Sequence, residues 1–207
     1  MEKLNLTTDV NLYLEHGEVL APFLSDEFIK EKVDIDFNAK NNMGFKQTKL
    51  DSLMAYIAHK IMFSEDRDFK SENKFNRTAK QIWESGKSTG CSDYAILFTV
   101  FARQLGYATT ILHTAEEGWL RKLLNNEDFS ICNGHFFCEC FFEGKWVLVD
   151  PTNRRVLVDY NCDKIKLNYL VNKSDVFYPY LREKDFTLSG KEYTNLMKNY
   201  CFNLKLI

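Results

Sequence analysis

The sequence predicts an α+β fold in which one helix, buried almost all round, packs on an antiparallel sheet. Two segments carry that reading. In CSDYAILFTVFARQLG, beginning at Cys91, the polar residues after Asp93 are nearly confined to Arg103 and Gln104, so a helix there must be enclosed on every side. GHFFCECFFEGKWVLVDPT reads as two aromatic-rich strands joined at Glu143-Gly144, with Pro151 ending the second. The 207 residues are 45% hydrophobic and 14% aromatic, enough to bury one core with room for a subdomain.

Taken in order, residues 1–50 are mixed in pattern, with short helices expected around 11–20 and 25–31, and read as a helical cover or subdomain. From Asp51, DSLMAYIAHKIMF sets apolar residues at helical spacing, with Asp51 or Ser52 available as N-cap. A polar loop follows. RTAKQIWES reads as a second helix closed by Gly86, and KSTG leads into the buried helix, which Gly106 stops. YATTILHT is then a strand, rich in β-branched residues. The connection from about Ala115 to Gly134, helical at EEGWLRKLLNN, has the length of a lid or substrate-binding loop, although a solvated helix face explains Glu116, Glu117 and Trp119 equally well. After the hairpin, Ser189 and Glu192 suggest a capping box opening a helix.

Composition narrows the classes of function. Twenty-seven basic and 29 acidic residues give a net charge of −2, so no nucleic-acid or membrane footprint is expected. The first twenty residues lack an uninterrupted apolar region, and no apolar run reaches membrane-spanning length. The cysteines at 91, 132, 138, 140, 162 and 201 are irregularly spaced, which favours a reducing, cytoplasmic location. No EF-hand loop is present.

Cys91 opens the buried helix, where unpaired N–H groups and the positive end of the helix dipole favour a thiolate. An arbitrary cysteine is more often a small core residue, but Ser88, Thr89, Gly90, Ser92 and Asp93 around this one are not core chemistry. A nucleophilic thiol needs a base, and the base needs an orienting acceptor. A two-residue Glu143-Gly144 turn would pair Phe142 with Lys145 and bring 137 opposite 150, putting His135 and Asp150 on one face as diagonal neighbours. A three-residue loop would move Asp150 to the other face. Cys138 and Cys140 alternate with His135 along the strand, so a zinc cluster of Cys132, His135, Cys138 and Cys140 is the weaker rival. His16, His59 and His113 have no convincing partner in the sequence.

These segments, GCSDYA with the apolar helix running into ARQLGY, then GHFFCECFFEGKWVLVDPT, resemble the core of the transglutaminase-like superfamily over about Ala79–Asn153. The resemblance implies a papain-like/transglutaminase-like core, with residues 51–207 as the catalytic domain. It carries a catalytic triad onto Cys91, His135 and Asp150, and acyl-transfer chemistry on protein or peptide amides with no cofactor. The residue after the histidine is Phe136, where the family usually has tryptophan. Water as acceptor would give a peptidase or amidase, an amine a transglutaminase. The Cys91 N–H and one upstream donor, Trp83 or Gln81, would form the oxyanion hole, against the plainer readings of a core aromatic and a surface amide. A catalytically silent binding or scaffold protein on the same fold is the alternative.

Overall fold

A computed structural model describes residues 6, 9–44, 47–125, 133–163, 166–169, 175–186, 195–196 and 199, without the side chains of Leu123, Leu124 and Asp175. The helix expected from Ser189 falls mostly outside these residues. In place of two short helices, the N-terminal region forms a 3-10 turn, Val10–Tyr13, and one helix α1, Asp26–Asn42, capped by Ser25. Helix α2, Lys49–Lys60, starts two residues before Asp51. Its N-cap is Thr48, whose hydroxyl accepts the Asp51 N–H while the Asp51 carboxylate accepts the Thr48 N–H. Asp51 is therefore the third helical residue of a capping box rather than the cap itself.

The last two residues of the segment expected as helix form strand β1, Met62–Phe63, instead, and the polar loop contains helix α3, Arg67–Asn73, too short to show a period. Helix α4, Ala79–Ser85, ends at Gly86, which takes the left-handed conformation at φ 63°. Strand β2, Lys87–Ser88, pairs parallel with β1 and delivers the chain to helix α5, Cys91–Gln104. Leu97, Phe98, Val100, Phe101 and Ala102 of α5 are wholly buried, and each large side chain contributes about 1.5–3 kcal/mol through burial. The two polar residues near its end act as ties. Arg103 donates to the carbonyls of Glu15, Thr109 and Lys184, and Gln104 to that of Leu24.

The sheet has the order β6-β5-β4-β3-β8-β7. Its strands are β3, Thr109–Glu116, followed by helix α6, Glu117–Leu124; β4, Gly134–Phe142; β5, Lys145–Asp150; β6, Arg155–Leu157; β7, Leu167–Tyr169; and β8, Asp175–Glu183. Among the described residues every pairing in this sheet is antiparallel, which makes the fold α+β. The hairpin turn has positive φ at both Glu143 (50°) and Gly144 (80°), the two-residue type whose twist matches the strands. Phe142 consequently pairs with Lys145 and Cys138 with Val149. Strand β8 docks beside β3 with a bulge between His113 and Thr114, where Pro179 pairs with Thr114.

One sheet face, with Ile111, Phe136, Cys138, Cys140, Val147 and Val149, packs on α5 in a core that also includes Leu20, Ile29 and Val33. The other face has its own core of Leu112, Phe137, Leu148, Leu167, Tyr169 and Phe177. On it Arg182 pairs with buried Glu139 at 2.6 Å, and the Tyr160 hydroxyl bonds the same carboxylate. Edge strands β6 and β7 approach one another: Arg155 lies 5.9 Å from the centre of the Tyr169 ring. The sheet is thus curled around its second core.

Candidate active site

Two elements end at one place, the start of α5 and the start of β4. Cys91 is the first residue of α5, and its N-cap, Gly90, provides no side-chain hydrogen bond to the helix, so the first N–H groups of the helix face the thiol's surroundings. The loop before Cys91 is fixed from below. Asp93 accepts from the Thr89 N–H at 2.6 Å and hydroxyl at 2.9 Å, and pairs with Arg77 at 2.5 Å. Arg77 also donates to the Ser85 hydroxyl and the Lys87 carbonyl. Both partners are almost completely buried, and the carboxylate in the first turn complements the helix dipole. The sequence hints at this pair only through a charge inside an apolar helix. Its partner lies sixteen residues away, and only the folded chain reveals it.

His135 is the second residue of β4, and its Nε2 lies 3.0 Å from Oδ1 of Asp150. The same ring lies beside the Cys91 sulfur, near enough for each group to shift the other's ionisation. Asp150 is wholly buried and is the most heavily bonded group of the site. Its Oδ1 accepts the N–H groups of Thr152 (3.0 Å) and Asn153 (3.1 Å), and its Oδ2 accepts the Asn153 side-chain amide at 2.7 Å. Asn153 was not singled out from the sequence, although an amide three residues after an aspartate at a strand end is a turn signal.

The ionisation of the three groups is coupled. Burial pushes the Cys91 thiol up, but hydrogen bonds from His135 and the Phe136 N–H, with the imidazolium charge, bring it below an ordinary thiol. Burial pushes His135 down, and this is outweighed by Asp150 and Cys91, which raise it to about 10. Asp150 is pushed up by burial and brought below the usual carboxylate range by His135 and Asn153. The arrangement favours a thiolate–imidazolium pair with a buried counter-charge. Cys138 and Cys140, buried on the α5 face, are pushed the other way, Cys140 to about 12, and are inert thiols.

Gln81 and Trp83 are engaged elsewhere. The Gln81 side chain accepts the Thr78 N–H at 2.8 Å in the capping box of α4. The Trp83 ring packs against Phe23, Tyr56 and Phe101. Cys132 lies outside the described residues, and Cys138 and Cys140 face α5, away from His135. Among the described residues no group of three or more His, Cys, Asp or Glu side chains is placed to hold a metal ion, and no helix is long and apolar enough to cross a membrane.

A cysteine at a helix mouth, with histidine and aspartate on adjacent strands, is an arrangement that cysteine-based nucleophilic chemistry uses. The profile of the Transglutaminase-like superfamily matches residues 34–151, more than half of the chain, and the chain belongs to that superfamily. No curated protein matches significantly. Among solved structures, the chain is similar to a presumptive cysteine protease from Cytophaga hutchinsonii, at 14% identity and a TM-score of 0.46, over 72% of this chain and 44% of that one. The chain thus spans less than half the length of that protein.

Proposed function

We propose that the protein is an acyl-transfer enzyme that acts on amide bonds of protein or peptide substrates through Cys91, His135 and Asp150. The observation that carries the reading is the position of His135, beside the Cys91 sulfur on one side and 3.0 Å from the Asp150 carboxylate on the other. In this reading the Cys91 thiolate attacks the amide carbon, and the carbonyl π-electrons move onto oxygen to give a tetrahedral oxyanion. The Cys91 N–H at the uncapped start of α5 donates to that oxygen. Gln81 and Trp83 could take part only by leaving their present contacts. The imidazolium of His135 then gives its proton to the departing amine as the C–N bond breaks, leaving a thioester on Cys91. Neutral His135 next removes a proton from the acceptor, and attack on the thioester regenerates the thiolate. Water as acceptor yields a carboxylic acid, and an amine yields a new amide.

Asp150 keeps the imidazole oriented and stabilises its protonated form, without itself taking the proton. The described cysteines are free, which agrees with a reducing, cytoplasmic setting for the thiol. Intact-mass analysis of the protein incubated with glutamine-containing peptides, with and without primary amines, tests the proposal. A Cys91 acyl adduct that is absent in Cys91→Ala is expected, and its fate in water against amine names the acceptor. Wild-type protein that forms no adduct and turns over none of these peptides would instead favour the silent binding role.

A further inference from the structure

The strand that delivers His135 is supported from one side. Strand β4 pairs with β5 from Phe142 back to Cys138, where the ladder ends, so among the described residues Gly134 to Phe137 take their partners from β3 alone. The end of β3 is anchored just there. It shifts register against β8 between His113 and Thr114, and the β8 partner of Thr114 is Pro179, which has no N–H to give. Next to the shift His113, wholly buried, sets its Nε2 2.8 Å from the Glu183 carboxylate of β8. The backbones of β3 and β4 then close up at Gly134, where a Cβ would lie 2.2 Å from the Thr114 carbonyl oxygen. Thr114, 3% exposed, stands directly opposite His135, and its hydroxyl donates to the His135 carbonyl oxygen at 2.9 Å.

We infer that Thr114 is a positioning residue for His135, with a hydroxyl that ties down the His135 peptide where β4 has a single neighbouring strand; the inference rests on the acyl-transfer reading of Cys91, His135 and Asp150. Directly opposed residues of an antiparallel pair send their side chains to one face, so the hydroxyl reaches the His135 backbone from the face on which the imidazole stands. That ring must lie 3.0 Å from Asp150 on one side and beside the Cys91 sulfur on the other. A small displacement of its peptide therefore opens one contact or the other. Threonine suits the role because its branched β-carbon favours a strand and its stiff χ1 holds the hydroxyl in one direction. Valine would keep the strand and lose the tie.

Thr114→Val and Thr114→Ser divide the side chain between them: valine keeps the branched shape without the hydroxyl, and serine keeps the hydroxyl without the methyl. In Thr114→Val, alkylation of Cys91 by iodoacetamide on the acid side of neutrality is expected to slow by about 3- to 10-fold, the effect of one lost hydrogen bond. The acid limb of the pH profile moves up by about half to one unit, because a less well placed imidazolium supports the thiolate less. By the same cause the His135 ring, followed by NMR, loses its proton at lower pH than in wild type, while the urea midpoint changes little. Thr114→Ser keeps the wild-type profile and unfolds at lower urea, since it leaves a methyl-sized gap. Superimposable profiles of wild type and Thr114→Val would overturn the inference. So would a Thr114→Ser profile displaced as far as that of Thr114→Val, which would make Thr114 a packing residue. If wild-type Cys91 reacts no faster than a free thiol, the acyl-transfer reading fails, yet a His135 titration displaced in Thr114→Val and not in Thr114→Ser still supports the tie.

Discussion

Asp150→Asn isolates the charge of the buried carboxylate from its hydrogen bonds. Oδ1 accepts the Thr152 and Asn153 N–H groups and lies 3.0 Å from Nε2 of His135, three neighbours in all, while Oδ2 meets the Asn153 amide. An asparagine can therefore keep its oxygen on the first three and turn its NH₂ toward Asn153, whose own amide flips to accept. What is lost is a full negative charge 3.0 Å from the imidazolium, which at an effective dielectric of ~20 is an attraction of about 5–6 kcal/mol. At ~1.4 kcal/mol per pH unit this corresponds to about four units, enough to bring His135 from about 10 back to roughly its unperturbed range near 6.5. The assay is the rate of Cys91 alkylation by iodoacetamide across pH, beside the ultraviolet absorbance of the thiolate. Near pH 6 the rate should fall by ~100-fold, because the thiolate loses its stabilised imidazolium. The loss shrinks at alkaline pH, where the thiolate forms unaided. Stability follows the same linkage. In wild type the raised His135 contributes fully below about pH 6.5 and loses that contribution as pH rises through about 10, and Asp150→Asn flattens this dependence. A variant with an unchanged unfolding midpoint and an alkylation profile within about half a unit of wild type would refute the assignment of Asp150 as counter-charge.

Other outcomes follow from the supports of the site. Arg77→Met strands the buried Asp93 charge with only its Thr89 donors, and urea unfolding should show a loss of about 3–5 kcal/mol, with slower Cys91 alkylation as the 88–90 loop loosens. Gly134→Ala would place a Cβ 2.2 Å from the Thr114 carbonyl oxygen. The backbone must shift there, so about 1–3 kcal/mol of stability and part of the alkylation rate should be lost through displacement of His135.

Helices α2, α4, α5 and α6 and the hairpin were legible because their signals are local. The apolar run after Asp93 required an enclosed helix, Gly86 supplied a left-handed C-cap, and Glu143-Gly144 is a pair of residues that tolerates positive φ. That turn fixes the register, and the register puts His135 and Asp150 on one face. Capping at Thr48 rather than at Asp51 escaped notice because the two ends of a capping box read equally well as caps. Strands β6, β7 and β8 escaped because two are only three residues long and the third, Asp175–Glu183, contains a proline.

The sequence alone therefore determined the buried helix, the hairpin, and the identity of the three residues that meet at their ends. Side-chain period, turn chemistry and helix polarity are properties of neighbouring residues. What only the tertiary structure decided is which distant groups hold that centre. Arg77 reaches Asp93 from sixteen residues away, Asn153 folds back on Asp150, and Tyr169 comes from the opposite edge of a curled sheet to lie beside Arg155. Such contacts depend on how strands twist and close around a core, and no local pattern encodes the distance between residues that only the curl of the sheet brings together.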